Sequence, residues 1–415
     1  MHARRAALVS SAAMLAVSLI GAGAPHAGAA ATSSNVITIG TLYASSGQFA
    51  TSSMPEYQGL EFWAHHVDAT GGVYVKATGK KEQVKIVSYN DESSTTTATT
   101  LYSRLITQNH VNMLVADFGS VLTANAVPIA KEHHVVLWDQ SGSGTTFFTQ
   151  PGGDHYIVLT SIQSSQYWPD SLSSYIEHNH LKRIAIVYGE NDFTGAQNTT
   201  LVSNLKKAGI KPVYDAPVPT TTTTFSTILT SMEATQPQMI VELGYPNNDT
   251  AFFQALKTDT ANKAKVFTVF PGQQEAQFER QIGKSELAGT YTYLAPPLLN
   301  VKNVNYGMTL PQFKSAFSHY SGTAASQIQF GDIMGYNTGL IMQKDLGVAA
   351  NLSQNALRAA ANTFSGDITT IEGTFKINHR TGSQVGTPFP VGRFNLKSNG
   401  QVSVTDYSYT IRGEK

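Results

Sequence analysis

The chain contains no cysteine among its 415 residues, and charged side chains make up only 13% of it. Without cysteine there is no disulfide framework, no thiolate metal site, no thiol nucleophile and no cysteine to carry a lipid anchor. Lysine plus arginine and aspartate plus glutamate stand at 28 each, so the formal net charge is zero. Nucleic-acid binders draw most of their affinity from a basic footprint, which this chain lacks. Beyond the N-terminus, no run approaches the roughly 20 apolar residues of a membrane span. Globular chains usually carry about 25% charged residues. Threonine supplies polarity here instead, including the run Thr220 to Thr224, which reads as a loop and helix cap.

Catalytic and metal motifs are missing as well. There is no H-E-x-x-H, no G-x-S-x-G, no G-x-x-x-x-G-K-[ST] and no G-x-G-x-x-G after a strand. The adjacent pairs His65-His66 and His133-His134 point apart on a helix and do not share an ion. Glu177-His178-Asn179-His180 falls at a predicted helix end, where histidine caps carbonyls and suits the dipole. Asp91-Glu92 reads as a helix start. No catalytic residue, metal or cofactor is expected, and the chain reads as a non-enzyme.

What is present begins with an address. Arg4 and Arg5 precede an apolar stretch from Ala6 to Ile20, and Ala27-Gly28-Ala29 fits the A-x-A cleavage rule, with Ala29-Ala30-Ala31 as a second option. This predicts a signal peptide over residues 1–29, cleaved near Ala29, on an exported and unanchored chain. Arg4-Arg5-Ala6-Ala7-Leu8 leaves twin-arginine and general export both open.

From Val36 short apolar strands alternate with amphipathic helices. Strands are predicted at Val36–Gly40, Val84–Tyr89, Met113–Ala116 and Val135–Trp138, with helices over Pro55–Ala69, up to Gln108 and over Val121–Glu132. A second series opens after Pro151-Gly152-Gly153. It holds strands Ile184–Tyr188, Pro212–Pro217, Met239–Leu243 and Val266–Val269, and helices Ser164–Glu177, Thr194–Lys207, Phe225–Ala234 and Asp249–Thr258. Helices at Pro311–Tyr320, Ser326–Leu346 and Gln354–Thr363 follow. The chain closes with Ile371–Asn378 and strands Phe389–Asn395 and Val402–Ile411 about the turn Lys397-Ser398-Asn399-Gly400. The rhythm predicts an α/β fold with parallel sheets flanked by helices, and the length predicts two compact domains. In such sheets ligands bind beyond the carboxyl ends of the strands. Asp117-Phe118-Gly119-Ser120 and Asp139-Gln140-Ser141-Gly142-Ser143-Gly144 fall at two such ends. Ser120 suits both a helix cap and a ligand hydroxyl, and the same residues also read as plain caps and turns.

The order of segments resembles the periplasmic substrate-binding proteins of ABC transporters, specifically the branched-chain amino-acid (Leu/Ile/Val-binding) family, over Val36 to Tyr409. The resemblance is carried by Ile37-Thr38-Ile39-Gly40, Ser46-Gly47-Gln48-Phe49-Ala50, Glu56-Tyr57-Gln58-Gly59, Gly71-Gly72-Val73, Tyr89-Asn90-Asp91 and Arg104-Leu105-Ile106. It continues through Arg183 to Tyr188, Asp192-Phe193-Thr194-Gly195, Phe225-Ser226, Gly244-Tyr245-Pro246 and Gly386 to Asn395, all in family order. It implies a type I periplasmic-binding fold of two Rossmann-like lobes joined by three crossovers. Lobe 1 would take residues 36–157 and 289–385, and lobe 2 residues 158–288 and 386–415. It further implies a monomer that binds a small solute between hinged lobes and hands it to a membrane permease; an exported sensory protein of the same fold is the alternative.

The resemblance places Ser120 at the hydroxyl that meets a ligand carboxylate, with Ser141 and Ser143 as the next pair. Phe49 and Phe193 fall on pocket walls, Tyr245 beside the aromatic contact at Gly244, and Gln273 near the position of an acidic residue that holds an ammonium. That acid is missing from Phe270-Pro271-Gly272-Gln273-Gln274-Glu275, and Asp139-Gln140 replaces the usual Ser-Pro. Either Asp117, Asp139, Asp332 or Glu275 takes the ammonium, or the ligand is an amide or organic acid rather than an α-amino acid.

Overall fold

The computed structural model describes residues 36–149, 155–259 and 262–411. The expected signal peptide with its Arg4-Arg5 start and cleavage near Ala29, and Pro151-Gly152-Gly153, lie outside the described residues.

The first series runs β1 (Val36–Tyr43), α1 (Ala50–Ala69), β2 (Val73–Val75), β3 (Lys80–Asn90), α2 (Thr95–Thr107), β4 (Met113–Val115), α3 (Gly119–Glu132), β5 (Leu137–Asp139) and β6 (Ile157–Leu159). Its strands form a six-stranded sheet, β2-β3-β1-β4-β5-β6. Ile39 of β1 pairs in parallel with both Ile86 and Met113, while β2 folds back antiparallel on β3. Strands so rich in Val, Ile and Leu suit a sheet with both faces covered.

The second series runs α4 (Pro169–His178), β7 (Ile184–Gly189), α5 (Asp192–Lys207), β8 (Tyr214–Val218), α6 (Ser226–Glu233), β9 (Met239–Leu243), α7 (Pro246–Thr258), β10 (Lys265–Phe267), α8 (Glu275–Gln281), α9 (Lys284–Leu287) and β11 (Tyr291–Tyr293). Then come α10 (Leu310–Ser321), α11 (Phe330–Val348), α12 (Gln354–Thr363), a small hairpin of β12 (Thr369–Thr370) and β13 (Gly373–Thr374), β14 (Val391–Leu396) and β15 (Val402–Tyr407). The second sheet has seven strands, β15-β14-β11-β10-β9-β7-β8. Its interior is parallel, and the last two strands pair antiparallel at one edge. The expected α/β architecture is therefore the observed one.

Several boundaries move for local reasons. Helix α4 starts at Pro169 rather than Ser164, because proline with its fixed φ favours the first helical position. Helix α11 starts at Phe330 rather than Ser326, after a 3-10 turn at Ala325–Gln327 and a capping box between Gln329 and Asp332. Helix α1 opens at Ala50, one turn before the expected Pro55. The threonine run stays a loop, but the cap of α6 is Phe225 with no side-chain bond, so the threonines do not cap it.

Helices α1 and α11 cross with their backbones in contact. A Cβ on Gly59 would lie 2.0 Å from the Asp332 carbonyl oxygen, and one on Gly335 would lie 1.9 Å from that of Glu56. Only glycine permits that approach. The crossing holds Glu56 near Ser141, Asp117 and Asp139, at the carboxyl ends of β4 and β5.

The interior is also unusual in its charge. Among the described residues ten acids are buried, against Arg358 as the one buried basic side chain. The ion pairs among them, Lys257–Glu286 at 3.6 Å and Lys284–Glu279 at 3.7 Å, are at the surface. No described helix is long and apolar enough to cross a membrane.

Candidate ligand-binding site

Loops leaving the carboxyl ends of both sheets converge on one narrow cavity. Phe118, Gly119 and Ser120 follow β4, Ser141 follows β5 and Ile162 follows β6. Facing them are Phe193 after β7, Tyr245 after β9, and Phe270 and Gln273 after β10, and Trp168 and Met334 complete the lining. The space between these walls is about 260 Å³.

One wall is built from hydroxyls and backbone. Gly119 opens α3 at φ +73°, a conformation that favours glycine, and its N–H donates to the Ser141 hydroxyl at 3.0 Å. Asp139 in turn receives the N–H groups of Ser141 at 3.2 Å and Gly142 at 2.6 Å, which shapes the loop that presents Ser141. Asp117 receives the Ser53 hydroxyl at 2.5 Å and the Phe118 N–H at 2.6 Å. The Ser120 Oγ is buried without a hydrogen-bond partner, and so is the Gln273 Nε2 across the cavity. Ser120 does not cap α3: the cap position is Phe118, and no side chain bonds there.

The other wall is built from rings. Tyr245 meets Phe193 at 5.4 Å, Phe270 at 6.0 Å and Phe118 at 6.0 Å between centroids. Trp168 stands edge-on to Phe193 at 5.2 Å, its indole N–H donating to the Gln163 carbonyl at 2.9 Å. The Tyr245 hydroxyl crosses the cavity to accept the Ser120 N–H at 3.1 Å. Burial holds its phenol far above the usual range, so it stays protonated.

Of the residues singled out in the sequence, Ser120, Ser141, Phe193, Tyr245 and Gln273 line the cavity together. Two lie behind the walls. Phe49 is the cap residue of α1 and packs its ring on Tyr245 at 5.3 Å. Ser143 is fully buried, and its carbonyl accepts the Ser165 N–H at 2.8 Å. Sequence reasoning passed over Trp168, Ile162 and Met334. The Trp168-Pro169 step into α4 was the available signal for Trp168; nothing local marks the other two.

Among the described residues no acidic or basic side chain lines the cavity. The four acids considered for an ammonium lie outside the lining, although Asp117 and Asp139 each keep one buried oxygen without a partner. Asp117 and Asp139 face the backbone and Ser53, as above. Asp332 accepts the Gln329 N–H at 2.8 Å at the start of α11, and Glu275 opens α8 near Glu279, Lys314 and Lys284. Burial pushes Asp139 up to about 8 and Asp332 to about 7. Asp117 is raised by burial and then by the nearby Asp91. Glu56, beside Ser141, is raised by burial and further by Asp117, Asp139 and Glu372. Among the described residues no cluster of histidines and acids is arranged to hold a metal ion. A wider solvent-open groove between His66, Gln312 and His319 lies at the opposite end of α1 from the cavity.

A family model described as Periplasmic binding protein matches residues 36–401. The chain belongs to that family, and its fold is the type I periplasmic-binding fold. Solved structures agree in fold. The leucine binding protein LivK of Thermotoga maritima is 16% identical, with 89% of this chain and 97% of that one covered at a TM-score of 0.73. The branched-chain amino acid transporter substrate binding protein LivJ of Streptococcus pneumoniae, in complex with isoleucine, is 19% identical at 90% and 100% coverage, TM-score 0.70. A solute binding protein of an ABC transporter from R. palustris, in complex with benzoate, is 16% identical at 90% and 96% coverage, TM-score 0.71.

Proposed function

We propose that the chain is the extracytoplasmic solute-binding protein of an ABC importer, exported by a signal peptide cleaved near Ala29. It binds a small ligand, an amino acid or a related amide or organic acid, and delivers it to the membrane permease as a monomer, with no reaction of its own. The observation that carries this reading is the charge-free cavity between the carboxyl ends of the two sheets, with the Ser120 hydroxyl and the Gln273 amide buried and unpartnered in it. Such groups cost free energy unless a partner meets them, and a ligand supplies one.

In this reading residues 36–157 and 289–385 form one lobe, and 158–288 and 386–415 the other. Ligand touching both lobes stabilises the closed state through its differential affinity for the two. Ser120, Ser141 and Gln273 contact the ligand, and Phe193 and Tyr245 wall it. Ser143 and Phe49 support those walls from behind. Hinge closure of this kind is general to periplasmic binding proteins.

Mass spectrometry of the small molecule released on denaturation of the purified protein tests the reading. A stoichiometric organic solute, with thermal stabilisation when it is added back, is the expected result. Turnover of that solute, or failure of every amino acid, amide and organic acid tried to stabilise the protein, overturns it.

A further inference from the structure

Tyr245 occupies the cavity wall in a way that describes a ligand. Its ring is surrounded by four others: Phe49 at 5.3 Å, Phe193 at 5.4 Å, Phe118 at 6.0 Å and Phe270 at 6.0 Å. Its oxygen reaches the N-terminus of α3, a helix of 14 residues, and accepts the Ser120 N–H there at 3.1 Å. The approach is close enough that a Cβ on Gly119 would lie 3.2 Å from the Tyr245 Cε1. A helix N-terminus favours an oxygen acceptor, and an anionic one above a neutral phenol. Two further donors line the same cavity, one beside this helix end and one across from it. The Ser120 hydroxyl and the Gln273 amide nitrogen line the cavity, each residue 4% exposed, and neither has a partner.

The chemistry of the walls is therefore one-sided. They present donors to an oxygen and rings to a planar apolar body. Among the described residues they present no carboxylate to an ammonium, since the nearby acids lie outside the lining. Asp117 and Asp139 each hold backbone N–H with one oxygen and keep the other buried behind the wall. A buried ammonium without an acid beside it is disfavoured, whereas a carboxylate at a helix N-terminus with two added donors is accommodated.

We propose that Tyr245 is an internal stand-in for the ligand, and that the solute is an aromatic monocarboxylic acid without an α-ammonium group. When the walls part, the Tyr245 hydroxyl gives up the Ser120 N–H, and when they close again on the ligand the Tyr245 ring remains as part of the wall. The ligand carboxylate takes that N–H together with the Ser120 hydroxyl and the Gln273 amide. The ligand ring enters among Phe118, Trp168, Phe193 and Phe270, where edge-on and offset contacts favour an aromatic body. This proposal rests on the solute-binding reading and names its substrate class.

The test is calorimetric titration, with Trp168 fluorescence as a second readout, using benzoate, benzamide, cyclohexanecarboxylate and leucine. The proteins are the mature chain, Tyr245→Phe and Ser120→Ala, each checked for folding by thermal melting. Benzoate is expected to bind at least tenfold tighter than each of the other three. Tyr245→Phe removes the competing oxygen while keeping the ring, so it is expected to bind benzoate severalfold tighter and to gain more in melting temperature on adding it. Ser120→Ala is expected to bind benzoate about tenfold more weakly. Weaker benzoate binding by Tyr245→Phe overturns the stand-in, because the hydroxyl would then be a direct ligand contact. Leucine or benzamide binding tighter than benzoate overturns the substrate class and leaves the solute-binding reading standing. Cyclohexanecarboxylate matching benzoate overturns the aromatic requirement. Failure of all four probes, when a different solute copurifies, overturns the class alone; failure of every solute overturns the reading beneath it.

Discussion

The two walls of the cavity are made by different means. The wall beneath the six-stranded sheet is polar and depends on backbone: Gly119 at positive φ, Ser141 set by Asp139, and Glu56 held behind them by helices in backbone contact at Gly59 and Gly335. The wall beneath the seven-stranded sheet is aromatic and depends on side chains: Phe193, Tyr245 and Phe270 pack on one another. Polar recognition needs donors fixed to a few tenths of an ångström, which a hydrogen-bonded loop provides. Apolar recognition needs area and shape, which interlocked rings provide without fixed backbone. The first wall is thus vulnerable to small changes of main chain, and the second to loss of volume.

The polar wall is most vulnerable at the crossing of α1 and α11. Gly335→Leu places a side chain where a Cβ alone would lie 1.9 Å from the Glu56 carbonyl oxygen. The loss is expected to exceed about 5 kcal/mol, and the variant should fail to accumulate as folded protein. Recovery of a cooperatively melting variant would show that the polar wall does not need this contact. Next is Trp168→Ala, which empties a buried ring touching Phe193, Tyr293 and Phe389. It should cost about 3–5 kcal/mol by urea unfolding while leaving the sheets intact by circular dichroism.

Acidity separates the walls more finely. Burial raises Glu56, Asp91, Asp117, Asp139 and Glu372 on the polar side, and Glu242 with Asp249 on the aromatic side. A carboxyl raised on folding binds its proton more tightly in the folded state. The stability it adds is full below the unfolded value near 3.8 and is lost as pH rises towards about 8, as for Asp139. The melting temperature is accordingly expected to fall by more than about 5 °C between pH 5 and pH 8. Asp139→Asn should flatten that slope, because it removes one carboxyl that burial raises to about 8. A melting temperature that rises over this range would contradict the assignment. The smallest effect on stability is expected for Ser120→Ala. Its hydroxyl has no partner to lose, so the change should stay within about 0.5 kcal/mol.

Much of the fold was legible in the sequence, and the reason is periodicity. Met239–Leu243 and Gln354–Thr363 were read to the residue, because a buried apolar run and an amphipathic helix with a serine cap leave little ambiguity. Tyr291–Tyr293 was passed over, since three residues carry no period and the strand exists only by pairing with β10 and β14. The polar wall was legible for a related reason: Gly119, Ser120 and Ser141 follow predicted strands directly. The aromatic wall was legible in part. Phe193 and Tyr245 were named through the family resemblance, but the reach of the Tyr245 hydroxyl across to Ser120, 125 positions away, depends on how the two sheets face each other. No local pattern encodes that distance.

Among the described residues ten buried acids stand against a single buried base, and this bears on how the chain comes to be folded. In a medium near neutrality an extended chain carries those carboxyls ionised. Wherever burial raises them above the ambient pH, folding must take up protons from the surroundings. Acquisition of the native state is then a proton-consuming reaction in which the hydronium ion is a reactant. Its equilibrium is set by the compartment where the chain folds as much as by the sequence.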